Sequence, residues 1–333
     1  MIERRSRPVE RIAVLGAGAW GSALAIATLR AGRTVDLWSR DSKLAARLAK
    51  DRVNDRYLPG IELPPAIAVT SDLQATLEAD ALLLAVPAQQ LRALAERLAP
   101  LRPTDKPLVI CAKGIEETSG LLMTELLGQV FPRQPLAVLT GPSFAAEVAR
   151  GLPTALTLAT ADARLGEALL TALGSRTFRP YLSDDPLGAQ VGGALKNVIA
   201  IACGAIAGRG LGDNARAALV TRGLAELVRF GRVLGGTAET LMGLSGFGDL
   251  TLTCTSAQSR NYRLGLALGR GEIRGDGELA EGVATAEAAL KRAMRHKVEL
   301  PITEAVAAVL AGRRGLDESI QALLSRPLKS EAP

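Results

Sequence analysis

The chain contains little of what most proton-transfer sites are built from: one histidine in 333 residues, His296, set among charged residues in "ALKRAMRHKV". It reads as a surface or structural residue, so the commonest acid–base side chain is missing. Aromatic residues make up 3%, which leaves Ala, Leu, Val and Ile to build the core. Three cysteines, Cys111, Cys203 and Cys254, are far apart, odd in number and without the close pairs that metal sites use. That excludes a disulfide framework and gives no metal site; free thiols suit a cytoplasmic protein. The net charge is +6, but no dense basic run with interleaved aromatics is present, which argues against nucleic acid. A diffuse positive field suits small anionic ligands. The start, "MIERRSRPVE", has no apolar stretch behind it and is not a signal peptide. One apolar run, 188–208, is long enough for a membrane span. Lys196, Asn197 and its glycines make it a buried helix of a soluble protein instead.

Hydrophobic residues amount to 48% and charged ones to 22%, the balance of a globular chain with a large core. The length suits two domains. "RIAVLGAGAWGSALAIATLRAG" reads as a buried strand, a glycine turn and an Ala/Leu-rich helix ending at Gly32, with "TVDLW" as the next strand. Gly16, Gly18 and Gly21 form G-x-G-x-x-G. Their separate tasks are a tight turn, close approach to a pyrophosphate, and close helix–strand packing, and the helix N-terminus offers free N–H groups to that pyrophosphate. A structural glycine-rich turn is the alternative. In "LWSRD", Ser39 stands where an acid would bind the ribose hydroxyls of NAD, and Arg40 follows. This favours NADPH, with NADH as the second choice; otherwise Arg40 is a surface charge. Strand-like runs at 66–70, 81–86, 108–111, 136–140, 155–159 and 177–182 alternate mostly with helices. The expected fold is α/β, with a parallel, doubly wound Rossmann-like sheet over residues 1–188. Lys113 follows a strand and precedes Gly114, where it either points into the cleft or is an ordinary loop lysine.

Helical spacing then dominates, at 189–207, 214–234, 258–269, 283–296 and 303–312, which predicts an all-α domain over 189–333. Gly188, Gly192, Gly204 and Gly208, at four-residue spacing, suggest close backbone packing of a central helix in a domain or dimer core. Lys196 is the one charge on that helix. A buried lysine has a lowered pKa and can exchange a proton near neutrality, as hydride addition to a carbonyl requires; a snorkelling side chain is the alternative. Asp249 can pair with a lysine ammonium. Ser259, Arg260 and Asn261 together make either a phosphate receptor or a capped helix start. Glu281 either has a functional role or simply opens a helix.

The segments "GAGAWGSALA", "LWSRD", "AVPAQ", "CAKGIE", "TGPSFAAEVA", "GALKNVIAIACG", "SGFGDLTLTCTS", "SRNYR", "EGVATA" and "PITEAV" occur in order from Ile12 to Gly312. Together they resemble the NAD(P)-dependent glycerol-3-phosphate dehydrogenases of bacterial type. The resemblance implies reversible reduction of dihydroxyacetone phosphate to sn-glycerol 3-phosphate, which supplies glycerophospholipid synthesis, by a cytoplasmic protein that is a homodimer. It implies Lys196 as the catalytic proton donor and acceptor. Lys113, Gly141, Ser143, Asp249, Ser259, Arg260 and Asn261 would line the substrate site, with Asn197 and Thr253 nearby. Gly16, Gly18, Ala19, Trp20, Gly21, Arg40, Lys113, Ala145, Arg260, Leu279 and Glu281 would contact the cofactor. Ala19 stands where relatives often carry Ser, and Leu279 where Val is frequent. Two rivals stay open: a lysine-using reductase of a carboxylate substrate such as ketopantoate, and a non-catalytic NADP(H) sensor.

Overall fold

The structure, a computed structural model, describes residues 8–103, 106–272 and 280–327. The first half alternates strand and helix: β1 (Arg11–Leu15), α1 (Ala19–Arg30), β2 (Thr34–Trp38), α2 (Ser42–Asp51), a hairpin of β3 (Val53–Asn54) and β4 (Leu58–Glu62), then β5 (Ile67–Thr70) and β6 (Ala81–Leu84). It continues through α3 (Leu91–Leu98), β7 (Leu108–Ile110), α4 (Met123–Val130), β8 (Leu136–Thr140), α5 (Ala145–Arg150), β9 (Thr154–Ala159), α6 (Ala163–Leu173) and β10 (Phe178–Ser183). Eight strands form one sheet in the order β10-β9-β8-β7-β6-β1-β2-β5. Side chains alternate across it, as the period of two requires. Ile12 and Val14 join one apolar layer, Ala13 and Leu15 the other, and all four are fully buried. The chain leaves β1 in one direction through β2 and β5, then returns to β1's other edge to lay down β6 and β7. The strand order therefore reverses between β1 and β6, which is where open α/β sheets bind ligands, beyond the strands' carboxyl ends.

The sheet is not parallel throughout. β9 runs antiparallel to β8, while β10 is parallel to β9. A parallel crossover needs a helix long enough to carry the chain back along the sheet. α5 has 6 residues, about 9 Å at 1.5 Å per residue, which is too short, so the chain reverses instead. α6, with 11 residues, is long enough for the next return.

The second half comprises α7 (Pro186–Gly208), α8 (Gly212–Val233), α9 (Ala238–Met242), a π-helical turn at Leu244–Gly248, α10 (Asp249–Cys254), α11 (Arg260–Arg270), α12 (Glu281–Arg295), α13 (Pro301–Leu310) and α14 (Leu316–Leu324), with no strand among its described residues. α7 starts where Pro186 fixes the first turn and Asp185 caps it, accepting from Gly188 N at 2.7 Å and Thr237 N at 2.8 Å. By length and hydropathy α7 could cross a membrane, but 78% of its most apolar window is buried inside the protein.

Glycines let α7 and α11 touch backbone to backbone. A Cβ on Gly204 would lie 2.1 Å from Tyr262 O, and one on Gly208 2.3 Å from Leu266 O. Facing them, a Cβ on Gly265 would lie 1.9 Å from Ile201 O. This close approach offsets the roughly 1 kcal/mol each helical glycine costs relative to Ala. Gly188 differs: a Cβ there would strike the helix's own cap, Asp185. α13 is capped from outside its own segment. Glu226 on α8, buried, accepts from Ile302 N at 2.5 Å and from Thr303 N at 3.3 Å, and burial pushes its pKa up to about 7. Neither this cap, the β3–β4 hairpin nor α14 has a clear pattern in the sequence.

Candidate active site

The glycine turn forms one wall of the crevice. Gly16 has φ +123°, and its N–H donates to Trp38 O at 3.0 Å, tying the turn to β2. A Cβ on Gly16 would lie 2.9 Å from the Ala85 carbonyl after β6, and one on Gly21 only 1.7 Å from Gly16 O. Both glycines are needed by the fold. Gly18 is not: no atom lies within 4 Å of where its Cβ would be. Gly18 opens α1 with no side-chain cap and no acid in the first turn, and the N–H groups of Gly18 and Ala19 have no hydrogen-bond partner among the described residues. The indole Nε1 of Trp20 is buried and unpartnered as well. Free amides, a positive helix end and empty space above a glycine fit a phosphate-bearing dinucleotide.

At the end of β2, the two nearby carboxylates each have a partner in the fold. Asp36 is held by Arg11 at 2.8 Å, and Asp41 caps α2, accepting from Lys43 N at 2.9 Å. Ser39 is buried and Arg40 is exposed. Across the crevice, Glu281 opens α12 and accepts from Ala88 N at 3.3 Å, while its Oε2 is buried with no partner. Burial raises the Glu281 pKa, and the amide of Ala88 and the charge of Arg260 oppose that rise. Leu279 lies outside the described residues.

Further along, three segments distant in sequence meet at one carboxylate. Asp249, 1% exposed, begins α10 after the π-helical turn. Its Oδ1 accepts from Lys196 Nζ at 2.5 Å, and its Oδ2 accepts from Lys113 Nζ at 2.7 Å. Lys113 also donates to Gly141 O at 3.0 Å, and so does the Ser143 hydroxyl at 2.9 Å. Lys196 donates to Thr253 Oγ1 at 3.0 Å, and that hydroxyl in turn donates to Asp249 O at 2.6 Å. Gly193 lets α7 close on the end of β8, because a Cβ there would lie 2.7 Å from Thr140 Oγ1. Burial pulls the Lys196 pKa down from 10.5 to about 8. The Asp249 charge opposes this shift and the like charge of Lys113 adds to it.

A second network joins the helices. Asn261 Nδ2 donates to Asn197 Oδ1 at 2.9 Å, and Asn261 Oδ1 accepts from Gly282 N at 2.9 Å. Ser259 is the cap of α11, accepting from Tyr262 N at 3.2 Å, and Arg260 is exposed on the first turn. Ala145 opens α5. The structure thus gathers Lys113, Gly141, Ser143, Lys196 and Asp249 into one bonded chain. Asn261 adjoins it through α7, while Arg40 stands apart at the far end of β2. Nothing in the sequence pointed to Asn54, whose amide reaches the glycine turn from a segment, "KDRVNDRYLPG", without periodic pattern.

Comparison with known proteins shows the family. The family description "NAD-dependent glycerol-3-phosphate dehydrogenase N-terminus" matches residues 11–166, and the corresponding C-terminus description matches residues 185–321. The glycerol-3-phosphate dehydrogenase (NAD(P)+) of Bradyrhizobium sp. strain ORS 278 is 55% identical over 326 residues, spanning 98% of this chain and 99% of that one. The protein of that name from Parvibaculum lavamentivorans is 53% identical over 326 residues, 96% of this chain and 98% of its own. The crystal structure of glycerol-3-phosphate dehydrogenase from Coxiella burnetii superposes with a TM-score of 0.92 at 39% identity, covering 96% and 99% of the two chains. Matched in both halves and nearly end to end, the chain belongs to the NAD-dependent glycerol-3-phosphate dehydrogenase family.

Proposed function

We propose that this protein reversibly reduces dihydroxyacetone phosphate to sn-glycerol 3-phosphate, with NADPH preferred over NADH. The observation that carries the reading is the buried Lys196, held by Asp249 and brought to a pKa of about 8. When bound, the nicotinamide cofactor supplies the hydride that reduces the substrate's carbonyl carbon. Lys196 protonates the carbonyl oxygen as negative charge develops there, and takes the proton back in the oxidative direction. A pKa near the working pH suits both directions. Asp249 and Thr253 hold the Nζ in place, and Lys113, shared between Asp249 and Gly141, offers a second cation to the substrate. Arg260, exposed beside the N-terminus of α11, receives the phosphate, and Asn261 holds α11 against α7 at that point. Ser259 contributes through its cap.

On the cofactor side, the Gly18 and Ala19 amides face the pyrophosphate, Gly16 and Gly21 shape the turn, and Arg40 meets the 2′-phosphate. Trp20, Ala145 and Glu281 complete that wall. Leu279 shares the role that the resemblance assigns. In the wider reading the protein divides into domains at 188/189, works in the cytoplasm as a homodimer, and feeds glycerophospholipid synthesis.

The test is cofactor oxidation, followed by the absorbance of the reduced nicotinamide, with dihydroxyacetone phosphate, unphosphorylated dihydroxyacetone and ketopantoate. Turnover should be much faster with the phosphate than without it, and faster with NADPH than with NADH. Equal turnover of ketopantoate, or none with any substrate, would overturn the reading.

A further inference from the structure

The Ala17 carbonyl, at the middle of G-x-G, is held by a residue outside both the strand and the helix of the turn. Asn54 stands on β3 and is 1% exposed. Its Nδ2 donates to Ala17 O at 3.0 Å and to Ser22 Oγ at 2.8 Å. Ser22 lies on the first turn of α1, so one amide clasps the glycine turn to the helix that the turn opens. The hairpin brings it there because β4 packs on α1 and α5. The amide's orientation follows from chemistry, since a carbonyl only accepts and must face the N–H side.

Two consequences follow. The peptide bonds are all trans among the described residues, and a trans peptide points its C=O and N–H to opposite sides. Holding Ala17 O toward the hairpin therefore turns the Gly18 N–H away from it, and Gly18 is the residue with open space above its Cα. Second, Asn54 Oδ1 is buried with no partner. Two bonds made and one acceptor stranded nearly cancel, so a buried amide here is a poor stability device.

We infer that Asn54 is a positioning residue for the dinucleotide: it sets the direction of the Gly18 N–H toward the pyrophosphate without touching the ligand. The inference rests on the cofactor site proposed above. It predicts an effect confined to ligands that carry a pyrophosphate.

The experiment compares the wild type with Asn54→Leu and Asn54→Asp. Calorimetry measures binding of NADPH and of adenosine 2′-monophosphate, which lacks the pyrophosphate, and steady-state kinetics accompany it. In Asn54→Leu, the Kd and KM for NADPH should rise about tenfold, as for a weakened charge-assisted bond. Binding of adenosine 2′-monophosphate and the KM for dihydroxyacetone phosphate should stay within about twofold, as expected where every such bond is kept. In Asn54→Asp a carboxylate faces Ala17 O and repels it, whereas the protonated acid can donate to it. The NADPH KM of this variant, relative to the wild type, should therefore fall as the pH is lowered. Unchanged NADPH affinity in both variants would overturn the inference. So would a loss of kcat, both KM values and thermal stability in step, or of both nucleotides equally. If the wild type itself bound no NADPH, the cofactor site would fail and the inference with it. Wild-type binding that the variants match would remove the inference alone.

Discussion

The two walls of the crevice are built in opposite ways. Around Gly16–Gly21 the ligand surface is mostly backbone: amides, a helix end and the open space over Gly18, with no charge in the first turn of α1. Around Lys196 the surface is side chain. Two ammonium groups share one carboxylate that is 1% exposed, in a place where an unpaired charge would be costly. The first wall binds by shape and aligned dipoles and undergoes no change of protonation. The second must change protonation, and its burial is what brings a lysine within range of neutral pH. Substitutions should therefore separate the walls, one losing affinity and the other losing turnover.

The largest effect belongs to Lys196→Met. Met keeps much of the stem's packing but carries no proton, so turnover should fall by about 10²–10⁴-fold while NADPH binding survives. More than a tenth of wild-type turnover, measured at saturating substrates, would show that the lysine is structural.

Arg260→Leu should lower efficiency on dihydroxyacetone phosphate by about 10–150-fold, the effect of removing one charge-assisted hydrogen bond. Unphosphorylated dihydroxyacetone should be nearly indifferent. Equal losses on the two would move Arg260 from the phosphate to the cofactor or the fold.

pH tests the same wall. Lys196 is protonated in the folded enzyme below about pH 8. Reduction needs that proton, so the reductive kcat should decline about tenfold per unit above pH 8, and the oxidative kcat should climb through the same pH. Folding is affected in a related way. The unfolded lysine keeps its proton to about 10.5, so the cost of burying the ammonium is full below pH 8 and is relieved as pH climbs from 8 to 10.5. A flat rate profile between pH 7 and 9 would count against a titrating Lys196.

On the backbone wall, Gly18→Ala and Gly21→Ala should diverge. A Cβ at Gly18 meets no protein atom, so the Tm should barely move while the NADPH KM rises about tenfold, the cost of displacing one charge-assisted hydrogen bond. At Gly21 the Cβ would lie 1.7 Å from a carbonyl oxygen, and stability should drop by about 3 kcal/mol or more. Thermal melts and cofactor titrations on both variants decide this; an unchanged KM in Gly18→Ala would place the pyrophosphate elsewhere. The smallest effect is expected of Arg40→Asp, an exposed pair. The NADPH-to-NADH efficiency ratio should shift toward NADH by about fivefold, near the upper end for a surface ion pair. An unchanged ratio would leave Arg40 as a surface charge.

The glycine turn was legible in the chain because its signals are local. G-x-G-x-x-G between a buried strand and a helix states a backbone geometry, and the structure gives Gly16, Gly18 and Gly21 three different surroundings. The strands and most helices were legible from period and length. The antiparallel β9 was not, because strand direction depends on whether the intervening helix spans the sheet, and α5 is a turn and a half long. The hairpin that carries Asn54 was hidden as well. Two-residue strands have no period, and a clasp made across 37 residues leaves no pattern at either end.

Local sequence also determined that Lys196 would be a charge in apolar surroundings, since every neighbour on α7 within a turn is apolar or small apart from Asn197. It could not determine which groups would meet that charge. Lys113, Lys196 and Asp249 are 136 residues apart at their extremes, and they converge only because β7 pairs with β8, α7 packs on β8, and the π-helical turn and α10 pack on α7. The lysine's pKa follows from that convergence. Burial, one opposite charge and one like charge act over a few ångströms, and distances of that size between remote segments exist only in the folded chain.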